Sequence, residues 1–503
     1  MDNRLIWLGF AIYAVISLYI AYLSRKGKET SMSGYFLGNR KMNGFVSALS
    51  YSATTYSAFM MVGLAGLTYR GGVGALGFEM IYFAGVTLVA FFGPRFWLVG
   101  KKYGYVTPSE MLGDRYDNKM VAVVISIASC VFLIPYSAVQ LAGVGYLVEG
   151  MTNGGISFTT GVIIATIFAI VFSFIAGIRS VMWTDSLQAL VMIVASTTVV
   201  ILIIQGLGGF NEFFGTLELG YTETLSVPGN GFWSIATFIS MTVPWLFFSL
   251  SNPQVSQRLY MPSSLKSLRG MLMGFLVFGF IYTLVSVLWG FSALIMFPGL
   301  ENPDIATPSL LSSDLVPTVL GIIVMIAIIA AAISTIDSIM LTLSSLFARD
   351  VYGNLKSGVG EKQQLKVGKF VMPVIAIMAF AFAQMQLDLI AVLSVASSAG
   401  LTVAVPAIFG AFFWKKGTSA GVISSVVVAG ILVLALEFMK YKPFGLGSGV
   451  WGLVVSTVLF IVVSLFTKAP VHKANEFMDY IQSEMRNNLK SKKSTEIRTT
   501  KIS

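Results

Sequence analysis

The chain has one cysteine, one histidine and few charged residues. Cys130 cannot close a disulfide within the chain or build a thiolate metal cluster. The histidine, His472, falls in a polar C-terminal stretch, which argues against a histidine-built zinc or haem site among the apolar segments. Charged residues make up 11% of 503, against about 25% in soluble chains. So little charge cannot cover a soluble surface of this size. Period-two alternation is also scarce. The hydrophobic residues, 56% of the total, instead fall in runs long enough to span a bilayer. A backbone in lipid must satisfy its own hydrogen bonds as helices or a closed barrel, and unalternating runs of about 20 residues select helices.

Thirteen apolar segments are expected, at roughly 4–23, 43–69, 74–99, 120–148, 156–175, 181–206, 231–252, 270–297, 316–347, 369–387, 389–414, 418–438 and 450–467. The first lacks a basic leader and a small-residue cleavage pattern, and Arg25, Lys26 and Lys28 follow it, so it reads as a retained span. Most Lys and Arg fall after odd-numbered spans and in the tail: Arg40 and Lys41, Lys101 and Lys102, Arg179, then Arg258, Lys266 and Arg269, Arg349, Lys415 and Lys416, and Lys468 onward. The opposite loops carry Glu212, Glu218, Glu223, Glu301, Asp304 and Asp314. This bias predicts an outside N-terminus and a cytoplasmic C-terminus. It also accounts for the net charge of +10 without nucleic acid as a partner, leaving the lipid bilayer as the surface the basic residues meet. In the tail, Phe477, Tyr480, Ile481 and Met485 fit one face of an interfacial helix, and a solvated basic tail fits equally.

An ionisable group inside a membrane helix is a functional candidate by default. Asp185 lies a turn inside the sixth span and Asp337 well inside the ninth; Glu79 reads as near the outer end of the third, and Asp388 and Glu437 as ordinary helix ends. Asp185 can serve either as a helix cap or as an ion ligand. The second span carries a hydroxyl run from Ser50 to Ser57, and the ninth carries Ser334, Thr335 and Ser338 among alanines. Hydroxyls and freed carbonyls are hard oxygen ligands for a small cation, while small residues equally serve close helix packing. Pro244 and Pro253 interrupt the seventh span, with Trp245 offering a flat apolar wall. No Lys or Arg is expected in mid-membrane within the core.

Spans two to six and seven to eleven form two blocks of five, each opening on an interrupted helix, and an odd number of spans inverts the second block. Such inverted repeats characterise secondary transporters. At these residues the chain resembles the sodium:solute symporter family. The likeness rests on Gly34-Tyr35-Phe36-Leu37-Gly38-Asn39-Arg40, the Ser/Thr run of span two, the stretch from Ala176 to Gln188, Ala332-Ile333-Ser334-Thr335, and Ala348-Arg349-Asp350-Val351-Tyr352. The resemblance implies an all-α membrane protein with the leucine-transporter-like fold. Its expected organisation is a first helix and loop (1–42), repeat one (43–206), an extracellular loop (207–230), repeat two (231–414), two peripheral helices (415–467) and a basic tail (468–503).

The family also implies sites. The main sodium site would take Ala53 and Tyr56 of span two with Ala331, Ser334 and Thr335 of span nine. A second cation site would join Asp185 to Ser334 and Thr335. Solute would meet Ser57, Trp245, Ser249 and Pro253. Proline-transporting members carry an aspartate at Thr55 and a tyrosine at Ser249, whereas the Gly34–Arg40 stretch is more like pantothenate-type permeases. The expected function is sodium-coupled import of a small organic solute of the pantothenate, amino-acid or monocarboxylate class by alternating access. Sodium is the coupling ion, with no other cofactor. A solute-binding membrane sensor without net transport is the alternative. An enzyme is not expected, since no nucleophile–base pair is visible.

Overall fold

Helices take almost the whole chain, as the uniformly apolar runs require. The computed structural model describes residues 3–24, 31–356, 358–386 and 390–500, and within these the side chains at 3, 21, 24, 174–176 and 489–500 are left aside. Arg25, Lys26, Lys28 and Asp388 lie outside the described residues.

In chain order the main helices are α1 (Asn3–Ser24), α2 (Gly44–Thr55), α3 (Ala65–Gly71), α4 (Gly74–Tyr103), α5 (Lys119–Met151), α6 (Phe158–Gly206) and α7 (Ile235–Ser251). They continue with α8 (Leu265–Met296), α9 (Thr318–Ser345), α10 (Glu361–Gln384), α11 (Ile390–Phe413), α12 (Ser419–Phe438), α13 (Ser448–Phe466) and α14 (Val471–Thr500). Ten helices among the described residues are long and apolar enough to cross a membrane, and Arg4–Ile20 and Phe158–Ser173 are shorter apolar helices. The expected fifth and sixth spans meet inside α6, where Gly177 takes φ 62° and ψ 169°. An L side chain avoids that conformation, so glycine makes the break.

Starts are set by short polar side chains that accept from backbone N–H groups the first turn leaves unpaired: Asn43 for α2, Asn118 for α5, Ser157 for α6, Ser234 for α7 and Ser264 for α8. The packing places α9 at the centre, against α5 and α6, while α2 lies between α6 and α8. Most of α9 is buried and most of α13 is not, and α13 pairs with α12 at the periphery. Small residues set the closest approaches: a Cβ at Gly85 of α4 would strike the backbone carbonyl of Leu246 in α7.

The first turns of the tail dock on the protein rather than standing free. Phe477 and Ile481 of α14 are buried, and the Phe477 ring sits 5.5 Å from Phe412 of α11 and 6.3 Å from Tyr103 of α4. Lys473 Nζ donates to Asp114 at 2.8 Å, and Tyr103 donates to Glu476 at 2.9 Å. The bond to Asp114 raises the Lys473 ammonium above its ordinary range.

Candidate ion and solute site

The first interruption follows Thr55. Tyr56 (φ −98°, ψ 59°) turns the chain, and Phe59–Leu64 then makes a π-helical turn before α3 resumes. Such turns leave backbone oxygens without regular partners and recur at functional positions. Here the carbonyls of Ala53 and Thr54 each face Thr335 Oγ1 at 3.5 Å, and the same hydroxyl donates to Ala331 O at 2.9 Å. Ala53, Ala331 and Thr335 therefore meet at the crossing of α2 and α9. Tyr56 lies beside them at the turn, its ring stacked on Phe275 of α8 at 5.0 Å.

The second interruption follows Ser251. Pro253 cannot donate back along α7, and Asn252 accepts from Gln254 N at 2.9 Å, capping a new turn that runs Pro253–Ser256 and Gln257–Tyr260. Span seven thus covers Ile235–Tyr260 rather than ending at 252, because a capped proline restarts a helix here instead of closing it. This corrects two expectations: Arg258 is not a loop residue, and the core does contain a basic group.

Arg258 and Asp185 are both buried, 3.4 Å apart. Arg258 Nη1 donates to Ser50 Oγ at 2.6 Å, and Nη2 donates to Ser338 Oγ at 2.6 Å and to Thr54 Oγ1. Ser50 in turn donates to Asp185 Oδ2 at 2.6 Å, and Ser334 donates to Asp185 Oδ1. A buried carboxylate in apolar surroundings needs such a partner and such donors. Asp185 is not a helix cap, since it lies inside α6, which Ser157 caps; it ties α2, α6, α9 and the turn after α7 together.

Ser334 and Thr335 take separate tasks, one on Asp185 and the other on the α2 carbonyls. Asp337 does not share the Ser334 cluster, although three residues separate them. It accepts from Ser173 Oγ at 2.6 Å, and its Oδ2 has no partner among the described residues.

Toward the other half, Trp245 packs against Phe59 (4.9 Å), Phe78 (5.3 Å), Tyr82 (5.6 Å) and Phe248 (4.7 Å). Its Nε1 donates to Glu79 Oε2 at 3.1 Å, so Glu79, in the second turn of α4 as expected, is buried against Trp245. Ser249 donates to Tyr82 Oη at 2.7 Å. Ser57 is buried two residues before Phe59, and Pro253 stands buried across the break from Ser249. The lining thus joins aromatic faces to hydroxyls and one carboxylate, the makings of a small-solute site.

The sodium:solute symporter family model matches residues 35–430, covering both interrupted helices, α6 and α9. The chain belongs to the sodium:solute symporter family. This symporter is 29% identical over 465 residues to the sodium/pantothenate symporter of Haemophilus influenzae, spanning 91% of this chain and 94% of that one. It is 27% identical over 487 residues to the sodium/proline symporter of Staphylococcus aureus, spanning 92% of each. Its fold matches the substrate-bound outward-open structure of a Na+-coupled sialic acid symporter, with TM-score 0.74, 19% identity, and 92% and 98% of the two chains covered. The symporter is a multi-pass, all-helical membrane protein of the leucine-transporter-like fold, as the resemblance implied, and its transport is sodium-coupled.

Sequence reasoning missed Arg258, Glu79 and Tyr82 as site residues. The Asn-Pro pair at 252–253 carried the signal for Arg258, since a cap followed by proline starts a helix. Glu79 and Tyr82 are three apart and share a face of α4 with Phe78, a pattern open to reading once Trp245 was a candidate wall.

Proposed function

We propose that this symporter imports a small organic carboxylate of the pantothenate class, coupled to sodium, across the cell membrane, with its N-terminus outside and its C-terminus in the cytoplasm. The observation that carries the ion assignment is the Thr335 hydroxyl facing the carbonyls of Ala53 and Thr54. Sodium prefers hard oxygen ligands, and those three oxygens with Ala331, Ser334 and the Tyr56 carbonyl supply them. Asp185 with Ser334 forms the second cation site, with Thr335 one residue on turned to the first.

Solute lies among Ser57, Trp245, Ser249 and Pro253, joined by Glu79 and Tyr82. Glu79 offers a carboxyl to hydroxyl or amide groups of the solute, whose own carboxylate is drawn toward the sodium end. That selects a hydroxylated amide acid over a bare monocarboxylate. The pantothenate and proline relatives support the class. Residues 43–206 and 231–414 act as the two repeats, with 415–467 peripheral to them. The docking of α14 beside Lys101, Lys102 and Asp114 puts the tail on the same face as those basic residues, in keeping with the orientation.

The energetics suffice for accumulation. A potential of about 100 mV contributes roughly 2.3 kcal/mol per charge, and a tenfold sodium gradient adds about 1.4 kcal/mol. The test is uptake into proteoliposomes of labelled pantothenate, proline and short monocarboxylates, with sodium or choline outside. Sodium-stimulated pantothenate uptake is expected. Sodium-stimulated uptake of another solute alone would overturn the class, and accumulation of none with specific binding retained would favour the sensor.

A further inference from the structure

The second cation site already holds a cation of the chain's own. The Arg258 guanidinium reaches Ser50, Thr54 and Ser338 and lies 3.4 Å from Asp185, so it draws on oxygens from α2, α6 and α9. A sodium ion at Asp185 would compete with the guanidinium for that carboxylate and for the Ser50 hydroxyl bonded to both. Arg258 also belongs to the turn that restarts at Asn252, just beyond Ser249 and the solute wall.

Charge counting decides what happens when sodium arrives. Asp185 with Arg258 is neutral. Adding sodium beside both sets two cations against the one carboxylate of Asp185, a crowding of like charge that an apolar interior disfavours. Asp337, held by Ser173 on another face of α9, makes no hydrogen bond within the Asp185 cluster. Asp185 with sodium alone is neutral again, provided the guanidinium leaves.

Resting on the sodium-coupled reading above, we infer that Arg258 is the resident cation of the second site. It holds Asp185 while sodium is absent, sodium displaces it, and its departure draws the Pro253–Tyr260 turn away from α2 and α9. Ion occupancy is thereby transmitted to the segment that follows the solute wall, without any contact between ion and solute.

The experiment uses the full chain in nanodiscs without solute. Phenylglyoxal modification of Arg258 is followed by peptide mass spectrometry in sodium and in choline, and radioactive sodium binding is compared among the parent, Arg258→Gln and Arg258→Lys. Labelling of Arg258 in the parent should rise several-fold with sodium. Arg258→Gln should bind sodium about tenfold tighter, a change of about 1.4 kcal/mol, while Arg258→Lys, which keeps the tethered charge, should remain near the parent. Equal labelling in the two salts, or sodium binding in Arg258→Gln no tighter than in the parent, would overturn the inference. Should Arg258→Gln fail to fold, parent labelling alone decides. A parent that neither binds sodium nor takes up solute with it refutes the functional reading itself; a parent that does both while Arg258 stays indifferent refutes only the displacement.

Discussion

The two interrupted helices solve the same problem with different chemistry. After α2 the break contains no proline: a turn at Tyr56 and a π-helical stretch leave the Ala53 and Thr54 carbonyls facing Thr335. After α7 the break is an Asn-Pro cap that restarts the helix at once and carries Arg258 inward. One interruption presents carbonyl lone pairs; the other delivers a guanidinium. Opening a membrane helix therefore does not by itself define an ion site, because the residues around the opening decide which sign of charge it serves.

The largest effect expected from breaking this contrast comes at Asp185. Asp185→Asn leaves Arg258 buried without a counter-charge and should lower stability by about 3–5 kcal/mol. The double variant Asp185→Asn with Arg258→Gln should recover most of that. Thermal unfolding of the three purified proteins in one detergent measures it, and a double variant no better than the single would show that the pair is not coupled.

At the first interruption, Thr335→Ala removes the hydroxyl facing the α2 carbonyls. Loss of one such ligand costs roughly 1–3 kcal/mol, so half-maximal uptake should need about 5- to 150-fold more sodium. Solute affinity at saturating sodium should change much less. Sodium dependence equal to that of the parent would return this crossing to a packing role.

How much of this was legible beforehand follows the type of residue. The helical class was readable, because apolar runs announce themselves within a few neighbouring positions, whereas the pairing of Ala53 with Thr335 came from the family resemblance and not from the hydroxyl clusters, which fit packing equally well. Arg258 was not, since a basic residue after a proline has the same local sequence whether it ends a span or re-enters the core. Its burial is decided by Asp185, 73 residues away, and by three hydroxyls on other helices. Asp337 shows the same limit: spacing put it on the Ser334 face, and only the position of Ser173 drew it aside.

A smaller effect sharpens the second interruption. Asn252→Ala removes the cap and should cost about 1 kcal/mol, with Arg258 less firmly placed and its hydrogen-bonded neighbours exchanging amide hydrogen faster. Mass-spectrometric hydrogen exchange over Asn252–Tyr260 reports it, and unchanged exchange would mean that proline alone fixes the restart. The smallest effect lies far from both breaks. Lys473→Met removes a half-exposed ion pair with Asp114 worth about 0–1 kcal/mol, so the midpoint of unfolding should move little while the start of α14 exchanges faster.

That last helix has a consequence of its own. Phe477 rests on Tyr103 of α4 and on Phe412 of α11, helices that fall in the two proposed repeats. A strut fastened to two bodies must bend, slip or let go whenever those bodies rock against each other. On the proposed repeats the C-terminal helix would register their relative motion, and Ser483, exposed on its outer side, is where a reporter would read it.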